Sequence, residues 1–232
     1  MVIAITGFNA KLMLPPATFM AQAGLSQDDQ IFLFDNSRRM LLGGVGGELD
    51  SFAKLITWLK SAIAERKPHT VFTLGSSGGG HGALLLGHLL KADRAIAFSP
   101  YTYGSREKLA QTEDPDQVPF ARAIRKIHQL PAALHQYLDL EPLLRVWNGK
   151  TSYEVHICHR RHWDRKRAEE IINCPKVELI KHPCSGHLVV PVINDLGLLH
   201  HCFGEQPKEA FKQLYAAMHR VTKHDALVGC LK

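Results

Sequence analysis

No apolar run in this sequence approaches the ~18–20 residues that a helix needs to cross a bilayer, so a membrane-spanning protein is not expected. The N-terminus, Met-Val-Ile-Ala-Ile-Thr-Gly, lacks the basic start, longer apolar core and small-residue cleavage site of a signal peptide. A soluble, cytoplasmic protein is the resulting expectation. There is no Cys-x-x-Cys pair, and the five cysteines, Cys158, Cys174, Cys184, Cys202 and Cys230, are odd in number. Neither a disulfide framework nor a zinc ribbon is expected, and the cysteines read as structural thiols in a reducing compartment. Cys158, His159, His162, Cys184 and His187 could be imagined as a metal cluster, but their spacing matches no common zinc pattern. No metal and no other cofactor is expected.

Low-complexity tails and long basic arms are also missing. The net charge of +6 and pI near 9.1 raise the question of nucleic acid, whose phosphates release counterions when neutralised by basic side chains. The basic residues are scattered, however, and the densest group, Arg160, Arg161, Arg165, Lys166 and Arg167, is interrupted by His162, Trp163 and Asp164. That group reads as a solvated face, or as a field drawing anionic substrates toward a cleft. A nucleic-acid partner is not expected.

What is present is an ordinary globular composition, 45% hydrophobic and 22% charged over 232 residues, which fits one domain spanning residues 1–232. Short β-rich runs alternate with helical periodicity. Strands are expected over 2–6, 31–34, 70–74, 94–98, 153–158 and 177–181. Helices are expected over 15–23, from Asp50 or Ser51 onward, and over 83–90, 164–172 and 208–221. Phe52, Leu55, Ile56 and Leu59 recur at the spacing of a helix packed on a sheet. This βαβ rhythm predicts an α/β fold with a mostly parallel sheet, a three-layer sandwich. Residues 101–149 break the rhythm, with amphipathic runs near 120–127, 132–138 and 141–146 and no strand between them. They read as a mainly helical insertion, a possible cap.

The chemistry concentrates in Leu74-Gly75-Ser76-Ser77-Gly78-Gly79-Gly80-His81-Gly82, which holds Gly-x-Ser-x-Gly between an expected strand and an expected helix. A serine on so sharp a turn needs small residues two positions before and two after, because strand and helix nearly touch there. Gly75 and Gly79 meet that need around Ser77. Ser76 is the competing nucleophile, but its flanking positions would be Leu74 and Gly78, and Leu74 is too bulky. The turn raises the Ser77 hydroxyl above the carboxyl ends of the strands and aims helix-start N–H groups, that of Gly78 first, toward a developing oxyanion.

This segment resembles the nucleophile elbow of the α/β-hydrolase superfamily, in its Gly-Ser-Ser-x-Gly-Gly form. The resemblance implies a trimmed α/β-hydrolase fold without the leading antiparallel strands, and working residues in the order serine, acid, histidine. His187, in Ser185-Gly186-His187 past the last expected strand, is the candidate base. Asp164, after the strand at 153–158, is the candidate acid, although an aspartate at a helix start can equally serve as a cap. Asp195 and Glu154 are the reserves. The resemblance further implies a second oxyanion donor in the loop after the first strand, taken as the N–H of Phe8. The loop lacks the His-Gly-Gly-Gly run found in part of the superfamily. In overall layout the chain is also similar to small hydrolase-like proteins associated with bacterial surface-polysaccharide production. The implied activity is hydrolysis of a carboxylic ester, with an acyl ester on a carbohydrate as one candidate, through an acyl-enzyme on Ser77. An acyltransferase or thioesterase could use the same site.

Two other classes compete. Gly78-x-Gly80-x-x-Ala83 fits a dinucleotide fingerprint, but the strand at 94–98 exits into Ser99-Pro100 and offers no acid for a ribose hydroxyl. A hydrolase-like fold kept only to bind a glycan or a protein partner is the remaining alternative. The oligomeric state is not legible.

Overall fold

A computed structural model of the chain describes residues 1–112, 123 and 125–229, with side chains through residue 218. Its strands are β1 (Val2–Ile5), β2 (Gln30–Leu33), β3 (Phe72–Ser76), β4 (Arg94–Phe98), β5 (Ser152–Cys158) and β6 (Val177–His182). They form one sheet in the order β2-β1-β3-β4-β5-β6, with every pairing among the described residues parallel. The chain runs outward from β1 to β2, then crosses back to β3 and proceeds to β6. Strand order therefore reverses between β1 and β3, and their carboxyl ends flank the crevice where open α/β sheets bind ligands.

Parallel strands are covered on both faces, and alternation along each strand divides the core accordingly. Ile3 and Ile5 of β1 join Ala95, Ala97, Val155 and Ile157 on one face. Val2 and Ala4 join Leu74, Ile96, Phe98 and Ile180 on the other. The first face is covered by α2 (Phe52–Arg66) and α3 (Gly78–Leu90). The second is covered by α1 (Pro16–Ala23), α7 (Val189–Asp195) and α8 (Pro207–Gly229). Helix α2 illustrates the logic: Ser51 Oγ accepts from Lys54 N at its start, and Phe52, Leu55, Leu59 and Ala62 form the buried stripe. Helix α1 opens with a proline in its first turn and ends at Gly24, whose φ of 74° closes the helix in a left-handed cap.

Between β4 and β5 come α4 (Arg106–Thr112), a 3₁₀ turn (Ala132–Tyr137) and α5 (Leu140–Arg145), with no strand among the described residues. Of the helix expected over 120–127, residues 120–122 and 124 lie outside the described residues, and 123 and 125–127 are helical. Ala123, Ile127, Leu138, Leu140 and Leu144 pack into the core on the α3 side of the sheet. His81 of α3 is fully buried beneath this segment and reaches the Tyr101 and Tyr137 carbonyls at 3.2 and 2.9 Å. Helix α6 (His162–Glu169) follows β5.

Three sequence expectations are corrected. The strand and helix at the elbow reach further than expected: β3 runs through Ser76 rather than 74 and α3 begins at Gly78 rather than 83, leaving Ser77 alone between them. Cys158 and Cys184 are joined in a disulfide. The parallel register aligns Cys158 with His182 at the ends of β5 and β6, so the 26-residue separation is spanned by strand pairing that spacing alone does not reveal. The basic group 160–167 is not wholly a solvated face, because Arg167 is 1% exposed. No helix among the described residues is long and apolar enough to cross a membrane.

Candidate active site

Gly75, Gly79 and Ser77 make the turn at the end of β3. Ser77 holds φ 55° and ψ −120°, a sparsely populated region for a residue with a side chain, which costs on the order of 1–3 kcal/mol and must be over-determined by its surroundings. The surroundings are backbone. A Cβ on Gly75 would lie 2.1 Å from Gly79 O, and one on Gly79 would lie 2.3 Å from Ile5 O and 2.5 Å from Thr6 O. Strand β3, helix α3 and the end of β1 thus meet at van der Waals limits, and only glycine fits at both positions. The Ser77 N–H donates to Phe98 O at 2.9 Å, and the Ser77 carbonyl accepts from Gly80 N at 3.0 Å.

The structure brings three of the sequence candidates together. Ser77 Oγ lies 3.0 Å from His187 Nε2. His187 Nδ1 lies 3.0 and 3.1 Å from the two Asp164 oxygens. A carboxylate only accepts, so His187 carries its proton on Nδ1, donates it to Asp164, and leaves Nε2 bare to accept from the Ser77 hydroxyl. The Asp164 side chain is fully buried while that of His187 is 26% exposed, so the ring stands between an interior carboxylate and an accessible hydroxyl. Asp164 belongs to the first turn of α6, yet its carboxylate is turned to His187 and to Arg167 Nη1, 3.4 Å away.

The other candidates fall elsewhere. Ser76 ends β3, with its hydroxyl 3.4 Å from Lys11 O. Glu154 forms a two-pronged ion pair with Arg94 at 2.6 and 2.7 Å; Arg94 is the first residue of β4, so this pair sits at the amino ends of the strands, away from Ser77. Asp195 is exposed at the end of α7. Gly78 is the first residue of α3, where a backbone N–H has no acceptor within its own helix. The Phe8 ring rests on it: a Cβ on Gly78 would come 2.8 Å from Phe8 Cζ.

Among the residues that escaped the sequence reading, two pack against the acid and the base. Arg167 is buried with its guanidinium 4.2 Å from the centre of the Tyr101 ring, and Tyr101 in turn lies 6.1 Å from the His187 ring, centroid to centroid. The Arg167 carbonyl accepts from Thr102 Oγ1 at 2.7 Å. Arg167 thereby braces both the acid and the aromatic wall. The available signal was its i,i+3 spacing from Asp164 on one helix face. Ser77 and His187 open into a cavity of about 320 Å³ whose walls include Phe8, Met13, Tyr101 and Leu188. The disulfide ties the end of β5, six residues ahead of Asp164, to the loop that presents His187 three residues later.

No family model matches the chain, and no curated protein matches its sequence. Solved structures resemble it. A putative esterase from Staphylococcus aureus aligns with a TM-score of 0.56 at 16% identity, over 85% of this chain and 72% of that one. Esterase B from Lactobacillus rhamnosis aligns at 0.53 and 13% identity, over 98% and 78%. MGS-MChE2, an α/β hydrolase enzyme from a metagenome of Moroccan lagoon sediments, aligns at 0.50 and 17% identity, over 96% and 91%. The likeness is one of fold, and the fold is that of the α/β hydrolases.

Proposed function

We propose, on the premise of an α/β-hydrolase fold, that this chain is a serine hydrolase cleaving a carboxylic ester through an acyl-enzyme on Ser77. The observation that carries the reading is the continuous relay from Ser77 Oγ through His187 to Asp164, with contacts of 3.0, 3.0 and 3.1 Å. In the first half-reaction Ser77 Oγ attacks the ester carbonyl carbon while its proton passes to His187 Nε2. The imidazolium so formed is stabilised by the buried Asp164 carboxylate. The carbonyl oxygen becomes an oxyanion, which we assign to the N–H groups of Gly78 and Phe8, each worth ~3 kcal/mol of barrier. Collapse breaks the ester C–O bond, and the departing alkoxide takes the proton from Nε2. Water then repeats the sequence on the acyl-enzyme, with His187 as base, and frees the acid and Ser77.

The cavity is small and largely apolar beside the serine, which favours a short acyl group over a long chain. An acetyl or similar group on a sugar hydroxyl belongs to this class and completes the proposal. A fluorophosphonate probe tests it. The expected result is a single adduct on the peptide containing Ser77, absent in Ser77→Ala, with turnover of short p-nitrophenyl esters. A folded protein giving no adduct and no turnover would leave only the reading of a hydrolase-like binding module.

A further inference from the structure

The cavity over Ser77 is lined by one permanently charged side chain, Arg38, and by no carboxylate among the described residues. Arg38 comes from the loop after β2, which no sequence motif singled out. Among the described residues no carboxylate pairs with its guanidinium, and the side chain is exposed. An arginine carries five donors in a planar fork that matches an oxyanion, and among the described residues lining the cavity over Ser77 no carboxylate competes for it; the nearby Asp35 carboxylate is taken up by the loop itself.

The loop is built to hold this residue in place. Arg38 adopts a left-handed backbone, φ 56°, within a turn organised by Asp35. The Asp35 carboxylate accepts from Ser37 Oγ at 2.6 Å, Arg39 N at 2.7 Å and Leu41 N at 3.0 Å, and its carbonyl accepts from Arg38 N at 3.1 Å. Asp35 is thus committed to the loop. Met40, Leu41 and Leu42, each at most 2% exposed, anchor the far side of the turn in the core. A turn fixed at both ends, with a left-handed backbone at Arg38, sets where this side chain leaves the loop and so removes the backbone part of the ordering cost of ligand binding.

We infer that Arg38 is a specificity-determining residue, selecting esters that carry a carboxylate or phosphate group a few bonds from the scissile carbonyl. This rests on the esterase reading above. The ester function sits at Ser77 among Phe8, Met13, Tyr101 and Leu188, and the anion meets the guanidinium at the rim.

Two matched pairs of substrates test it. p-Nitrophenyl hemiglutarate against p-nitrophenyl valerate places the charge on the acyl side. 4-Acetoxybenzoate against phenyl acetate places it on the leaving-group side. The wild type is expected to favour the anionic member of at least one pair in kcat/KM. Arg38→Ala should lower that anionic-to-neutral ratio about tenfold, the worth of one charge-assisted hydrogen bond at an exposed rim. Arg38→Lys should restore part of it, Arg38→Glu should invert it, and added salt should compress it. A merely structural role for Arg38 would lower both members together and leave the ratio unmoved. That result, or equal use of charged and neutral esters by the wild type, overturns the inference while leaving the esterase reading intact. Absence of turnover on all four esters together with no fluorophosphonate adduct removes the esterase reading, and this inference with it.

Discussion

Lowering the pH from about 7.5 to about 5 is expected to destabilise the fold by about 2 kcal/mol through His182 alone. His182, the last residue of β6, has no exposed surface. Its Nε2 lies 3.0 Å from His156 Nδ1 and its Nδ1 lies 2.7 Å from Tyr215 Oη, with the Phe211 ring packed edge-on at 4.7 Å. Burial in this setting pushes the His182 imidazole from 6.5 down to about 3. His156 beside it is also held well below the ordinary range, by burial first and then by His182 and Arg94. The sign follows from where protons bind. The unfolded chain takes up a proton near the ordinary value, about 6.5, and the folded chain does not, so His182 contributes its full stabilisation above that pH. The contribution is lost progressively as pH falls toward the folded value. At pH 5 about one and a half pH units have been traversed, at about 1.36 kcal/mol each.

Urea unfolding followed by tryptophan fluorescence measures this directly. With a slope of roughly 2–3 kcal/mol per molar urea, the midpoint should fall by about 0.7–1 M between the two pH values. His182→Gln keeps a hydrogen-bonding side chain but cannot titrate, and it should reduce the fall by about that amount. A wild-type midpoint that does not move, or a fall that His182→Gln leaves unchanged, would show that the native state accepts the proton at no cost. The reasoning from burial would then be wrong.

The elbow, the acid and the disulfide each give a further expectation. Gly79→Ala places a Cβ within 2.5 Å of the Ile5 and Thr6 carbonyl oxygens, so β1 or α3 must shift. A loss of more than about 3 kcal/mol in thermal or urea unfolding is expected; a loss under 1 kcal/mol would mean the junction is looser than drawn. Asp164→Asn should lower kcat by about 10³–10⁴-fold with KM nearly unchanged, because an amide can donate to Nδ1 and favour the wrong tautomer; a decrease of less than tenfold would assign the carboxylate a packing role. Peptide mapping without reductant should recover Cys158 linked to Cys184. Replacing both with serine should cost about 3 kcal/mol, from the loop closure across 26 residues, and should lower ester turnover by loosening the His187 loop against Asp164. Recovery of two free thiols from native protein would contradict the pairing.

The alternation of β-rich and helical runs was legible because a strand buried on both faces is a short unbroken apolar run, as in β1, while α2 repeats its apolar residues every three to four positions, and both patterns are written locally. The small residues around Ser77 were legible for a similar reason: a serine squeezed between strand and helix excludes side chains at Gly75 and Gly79, and the exclusion shows as composition. Contacts between residues far apart in the chain carry no such mark. Whether an acid after β5 turns to His187 or caps its own helix depends on how α6 lies against the sheet, and spacing is silent on that. The same holds for Cys158 and Cys184, for the stacked His156 and His182 on neighbouring strands, and for Arg167 beneath Tyr101. Arg38 is the plainest case, an unremarked residue in a loop until the fold of Asp35 and the burial of Met40 and Leu41 set it at the mouth of the cavity. Local periodicity and steric exclusion are properties of the chain itself; partner choice among buried polar groups is settled only when packing removes water and leaves each of them the few neighbours it can bond.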